Sequence, residues 1–198
     1  FWGWTDTIGL TTMAQRLRFF APDNIAPELL VDDVPGPIAA ADQGWAALPD
    51  RSPLLAAVTA AVHADPALIT GPLAATPNTF LHGDWKMGNL GGHPDGRTIL
   101  VDWAYPGAGP ALYDLFWYVA LNRARLPEGK EATIERFRRA LEGHGVATAG
   151  WWELQADLCA VAIMATFAWE KALGDDTELA WWEQLVAGAA ERLGLATS

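Results

Sequence analysis

The chain has 198 residues, enough for one domain with a sizeable core or two small ones. With 51% hydrophobic and 19% charged residues and eleven tryptophans to bury, it is a globular chain and not a disordered one. A formal charge of -11, from 13 basic and 24 acidic residues, argues against non-specific binding of nucleic acid and favours cationic small molecules, although negative charge also serves simply to keep an apolar-rich protein in solution.

In chain order, the aromatic residues Phe1, Trp2 and Trp4 would suit a packed helix end. Met13, Leu17 and Phe20 have helical spacing, and Pro22 and Pro27 are expected to break it. After the Pro-Gly-Pro corner at 35–37, residues 38–48 read as a helix. A further helix is announced by Ser52 as N-cap with Pro53 at the first helical position. The texture changes at Asn78: Thr79–His82 reads as a short strand, His93-Pro94-Asp95-Gly96 as a turn, and the β-branched run Thr98–Trp103 as the second arm of a small hairpin.

Pro110 then opens a helix whose apolar positions Leu112, Leu115, Phe116, Val119 and Ala120 fall on one side. Three more helices follow, over 130–145, 151–174 and 175–194, each ending at a glycine. The tryptophan pairs 151–152 and 181–182 are expected to be packing residues and not a ligand cage. The single cysteine, Cys159, excludes a disulfide within the chain and sits in an apolar run too short to span a bilayer. With no signal peptide ahead of the first helix, a cytoplasmic protein without a membrane partner is expected. The fold class that results is α+β, mostly α, with one small β element at its centre.

The chemistry concentrates in Phe80–Leu90, FLHGDWKMGNL. Gly83 and Gly88 make it a shaped loop, and the turn at 93–96 would fold Asp102 back beside Asn89. The oxygen-bearing side chains of Asp84, Asn89 and Asp102 would then converge, a donor type that suits Mg²⁺ with its remaining positions filled by water and phosphates.

His82-x-Asp84, Asn89 five positions on, and a hairpin ending at Asp102 reproduce the layout of a kinase catalytic loop and its metal-binding Asp. With Asp102-Trp103 and the later Pro110-Ala-Leu-Tyr-Asp114-Leu, the segment from Phe80 to Val119 resembles the aminoglycoside phosphotransferase and choline kinase branch of the protein-kinase-like superfamily. The resemblance implies a protein-kinase-like C-terminal lobe that uses ATP, or another nucleoside triphosphate, with Mg²⁺. It implies transfer of the γ-phosphoryl group to a hydroxyl of a small molecule, aminoglycoside-, amino-alcohol- or sugar-like, with no nucleic acid as partner. Asp84 would take the acceptor proton, Asn89 and Asp102 would hold the metal on the nucleotide, Lys86 would pair with the transferred phosphoryl group, and His82 would order the loop. Asp114 would accept backbone N–H groups of the loop. Lys86 departs from the His found at this position in many members of the aminoglycoside branch.

The organisation expected is a helical segment over 1–77, the catalytic loop, metal hairpin and following helix over 78–125, and C-terminal helices over 126–198. None of the three lysines, Lys86, Lys130 and Lys171, precedes the loop, so the clamp lysine of a nucleotide-gripping lobe is missing. With the start at Phe1, the expectation is a C-terminal lobe taken from a longer kinase. Two other readings are a non-catalytic, pseudokinase-like module and a metal-dependent phosphohydrolase built on His82, Asp84, His93 and Asp102. Glu153 and Asp157, one helical turn apart, either line an acceptor cleft or form a solvated face, the latter being favoured.

Overall fold

The computed structural model describes residues 2–4, 6 and 8–195. Phe1 lies outside them, and the described residues beside it form turns and not a helix end. Trp2 rests on Trp151, with ring centroids 5.7 Å apart, and Trp4 meets Phe80 edge-on at 5.0 Å.

The first helix, α1 (Met13–Leu17), is short, and the prolines after it start helical turns as well as ending one. Pro22 opens α2 (Pro22–Ile25), and Pro27 lies in the 3-10 segment Ala26–Leu30, since a first-turn residue needs no N–H partner. The 35–37 corner leads into α3 (Gly36–Arg51), which carries Pro49 in its last turn. Ser52 caps α4 (Pro53–Ala64) by accepting the Leu55 N–H at 3.2 Å. Next comes α5 (Ala67–Leu73), a helix that its Gly71-Pro72 pair conceals from sequence reading.

Four short strands follow: β1 (Asn78–Leu81), β2 (Leu90–Gly92), β3 (Thr98–Leu100) and β4 (Gly107–Pro110). They form two antiparallel pairs, one nested inside the other. The outer pair joins β1 to β4, with Asn78 opposite Pro110 and Leu81 opposite Gly107, and the inner pair joins β2 to β3, with Leu90 opposite Leu100. The outer partner was not expected, because Gly-Ala-Gly-Pro has little strand propensity; pairing with β1 imposes the extended conformation. The run Thr98–Trp103 is not all strand. It leaves the ladder at Leu100, Asp102 takes a left-handed φ of 62°, and the Trp103 indole folds back to donate to Leu100 O at 3.1 Å.

The remaining helices are α6 (Ala111–Asn122), α7 (Lys130–Gly143), α8 (Trp152–Ala172) and α9 (Asp176–Leu193). Asp175 caps α9 by accepting the Glu178 N–H at 2.9 Å, and Gly194, at φ 67°, closes it. In α6, Tyr113, Asp114, Trp117 and Asn122 are buried together with the five expected apolar positions, so the helix is enclosed on almost all sides and not on one stripe.

Chain contacts define two compact units that do not coincide with the three segments read from sequence. The first takes the described residues up to Thr12 together with Thr76–Ala156; the second takes Met13–Ala75 and the described residues from Asp157 on. In the first unit, α6 lies against β1, β4 and α7. In the second, α4 packs against α3, α5 and α9, and every residue of α8 from Leu158 to Ala165, Cys159 included, is fully buried. Gly44 permits the closest approach there, since a Cβ on it would stand 2.2 Å from the Trp169 carbonyl oxygen. Trp151, Trp152 and Trp182 are buried packing residues. Among the described residues no single helix is long and apolar enough to cross a membrane.

Candidate active site

The nested strands explain how the loop is held. β1 and β4 clamp the two ends of the segment between Leu81 and Gly107, and within it residues 82–86 form a loop that runs into the 3-10 turn Met87–Asn89 and then β2. Gly83 takes φ 80°, a conformation that an L side chain rarely adopts, and it turns the chain between His82 and Asp84.

One face of α6 grips this loop. Asp114 accepts the His82 N–H at 2.7 Å on Oδ2 and the Gly83 N–H at 3.0 Å on Oδ1, as the resemblance implied. Trp117, three residues on, donates its indole N–H to Asp84 Oδ1 at 3.1 Å. Asn122 accepts the Met87 N–H at 3.0 Å while its amide donates to Tyr118 O at 2.7 Å. Trp117 and Asn122 were not anticipated. On a helix buried on almost all sides, neither residue type nor spacing sets them apart from packing residues.

The imidazole of His82 is held at both nitrogens. Nδ1 accepts the Asp84 N–H at 3.2 Å, which leaves Nε2 to carry the proton and donate to Val101 O at 2.9 Å. Trp103 covers the ring, with centroids 4.5 Å apart. His82 therefore ties the loop to the end of the hairpin.

Asp84 is buried and its carboxylate is almost filled. Oδ2 accepts Lys86 Nζ at 2.6 Å and Asn89 Nδ2 at 2.9 Å, and Oδ1 accepts Trp117. Asn89 Nδ2 also donates to Asp84 O at 2.9 Å. A carboxylate offers about four lone-pair sites, so one remains, on Oδ1. Asp84 is thereby prepared to take one more hydrogen bond and is poorly available to a cation.

Asp102 takes no part in these hydrogen bonds. The register brings it close in the chain, since Val101 N–H donates to Asn89 O at 3.0 Å, but its side chain is exposed and makes no hydrogen bond or ion pair among the described residues. The expected meeting of Asp84, Asn89 and Asp102 is thus reduced to Asp84 bonded to Asn89, with Asp102 held alongside by the hairpin. The donors left open are Asn89 Oδ1 and the Asp102 carboxylate, a set that fits Mg²⁺, which takes one or two protein ligands and shares the rest with phosphates.

The residues of the phosphohydrolase reading are engaged separately. His93 pairs with Asp95 at 2.7 Å in the exposed turn, His82 is committed to Val101, and among the described residues no group of three or more His, Cys, Asp or Glu could hold a metal ion. Glu153 and Asp157 are each occupied by an arginine, Glu153 by Arg138 at 3.2 Å and Asp157 by Arg192 at 2.7 Å. Within the second unit a hollow of about 590 Å³ is lined by Arg18, Trp45 and His63, but Arg18 donates to His63 O at 2.7 Å, Trp45 to Phe20 O at 2.6 Å, and the His63 ring meets Ala165 O at 2.7 Å.

Comparison with protein families decides the affiliation. The model of the phosphotransferase enzyme family matches residues 6–154, three quarters of the chain and all of the loop, hairpin and α6. The chain belongs to the phosphotransferase enzyme family. Comparison with curated proteins and with solved structures gave no match. As a phosphotransferase, the protein needs a donor site, an acceptor and a group to manage the acceptor proton, and the loop around Asp84 is the candidate place for the last of these.

Proposed function

We propose that this phosphotransferase transfers the γ-phosphoryl group of ATP to a hydroxyl of a small molecule with the help of Mg²⁺. The observation that carries the reading is the buried Asp84 carboxylate, fixed by Lys86 and Asn89 with one lone pair left open, on a loop that ends beside the hairpin bearing Asp102. Asp84 accepts or orients the hydroxyl proton of the acceptor, which requires a carboxylate within hydrogen-bond reach of the attacking oxygen. Lys86 is half-exposed and can exchange its bond to Asp84 for one to the transferred phosphoryl group. Asn89 and Asp102 hold Mg²⁺; when bound, the ion neutralises the charge on the nucleotide phosphates. His82 keeps the loop in place. The charge of -11 favours a cationic acceptor, an aminoglycoside or an amino alcohol, over a neutral sugar.

The test is a phosphorylation assay with MgATP and a panel of aminoglycosides, amino alcohols and sugars, run on the protein expressed from its full-length reading frame, as wild type and as Asp84→Asn. The substitution should cut transfer by about 10²- to 10⁴-fold, with a modest fall in melting temperature because at least one donor on the carboxylate then faces an amide N–H₂. Full transfer by Asp84→Asn removes Asp84 from its role. Binding of MgATP with no transfer to any acceptor supports instead a non-catalytic, pseudokinase-like module.

A further inference from the structure

We propose that Trp117 is a positioning residue for phosphoryl transfer: its indole N–H fixes the plane of the Asp84 carboxylate and leaves Oδ1 as the oxygen that meets the acceptor hydroxyl. The inference rests on the reading of Asp84 as proton acceptor. Lys86 and Asn89 both act on Oδ2, at 2.6 and 2.9 Å, and two donors on one oxygen hold a point. The torsion that turns a carboxylate about its Cβ–Cγ bond is soft, so a point does not define its plane. The Trp117 bond to Oδ1, at 3.1 Å, supplies the second point.

Both residues are buried, Trp117 to 4% exposure and Asp84 to 6%, so water does not compete easily for the bond. Trp117 is itself anchored, on the same face of α6 whose Asp114 takes the His82 and Gly83 N–H groups, and with its ring 5.9 Å from that of Tyr113. One helix thus sets the backbone of the loop and the orientation of its carboxylate. An apolar bicyclic ring of the same shape would fill the space; only an N–H donor does the orienting.

The experiment uses the whole chain in two arms. In the first, indole ¹⁵N–¹H spectra of wild type, assigned through bonds, should show the Trp117 Nε1–H resonance move on Asp84→Asn and stay in place on Asp95→Asn, a control in the hairpin turn. In the second, with MgATP and kanamycin, choline or glucose as probe acceptors, Trp117→Phe should lower kcat about tenfold while leaving both KM values within about twofold. In an Asp84→Asn background the same substitution should cost nothing further. Should Trp117→Phe fold poorly, benzothienylalanine at position 117, which keeps the bicyclic shape and lacks the N–H, carries the same comparison. An indole resonance indifferent to Asp84, or an equal loss in both backgrounds, overturns the proposal. Full activity in Asp84→Asn refutes the reading of Asp84 and the positioning role with it; an inactive Asp84→Asn beside a fully active Trp117→Phe sinks the positioning role alone.

Discussion

Asp114 does more for the loop than any residue that would touch substrate. Its two carboxylate oxygens satisfy two adjacent backbone N–H groups that would otherwise be buried without acceptors. Asp114→Ala should therefore destabilise the fold by about 3 kcal/mol, read by urea denaturation, because both donors lose their partner at once. Asp114→Asn should cost less, since its carbonyl oxygen still serves one of them. Equal stability of wild type and Asp114→Ala would mean that the loop finds other acceptors. The role of Asp114 was legible from the motif, because an Asp opening a helix after a metal-binding Asp is a pattern. Trp117 and Asn122 were not, because any buried aromatic or amide on an apolar helix reads as packing until its hydrogen-bond partner, distant in sequence, is seen.

Among the elements, the helix starts were easiest to read and the strands hardest. Ser52 and Asp175 each cap a helix by accepting the N–H three residues on, a contact made within the local chain. Ser52→Ala should cost about 1 kcal/mol in thermal or chemical denaturation. Gly44 poses a different constraint: it is interior to α3, where alanine would ordinarily be the better helix former. Here a Cβ would stand 2.2 Å from a backbone oxygen of α8, so Gly44→Ala should destabilise by about 1–3 kcal/mol instead of stabilising. A more stable Gly44→Ala would show that α3 and α8 can separate without cost. Strand β4 and helix α5 escaped sequence reading for the same physical reason: glycine and proline advertise a break, and only the partner segment overrules them.

For the whole molecule, acid is the informative perturbation. Burial holds the His63 imidazole below its ordinary value of 6.5, against the opposing effect of its bond to Ala165 O. A histidine whose folded pKa is depressed leaves the unfolded chain binding more protons, so its contribution to stability is complete above pH 6.5 and is lost as the pH falls from there toward the folded value. The melting temperature should fall over that window, and His63→Gln should flatten the fall. Asp95, held low by the Arg97 backbone N–H, Glu128 by Arg136 and Glu142 by Thr148 act at lower pH. Their contributions persist above the ordinary carboxylate range and disappear as the pH drops through their folded values. Parallel curves for wild type and His63→Gln between pH 5 and 7 would remove His63 from this account.

What the amino-acid sequence determined by itself was local and periodic: the helix caps, the mostly helical class, the turn at 93–96 and the ordered motif from His82 through Asn89 and Asp102 to Asp114. These rest on spacing and on residue-specific backbone preferences, which act within a few residues. Only the tertiary structure decided that β4 pairs with β1, that the Asp84 carboxylate accepts three donors, and that Trp117 is one of them. The strand pairing and the Trp117 bond depend on contacts between segments some thirty residues apart, where no single stretch of chain contains both partners.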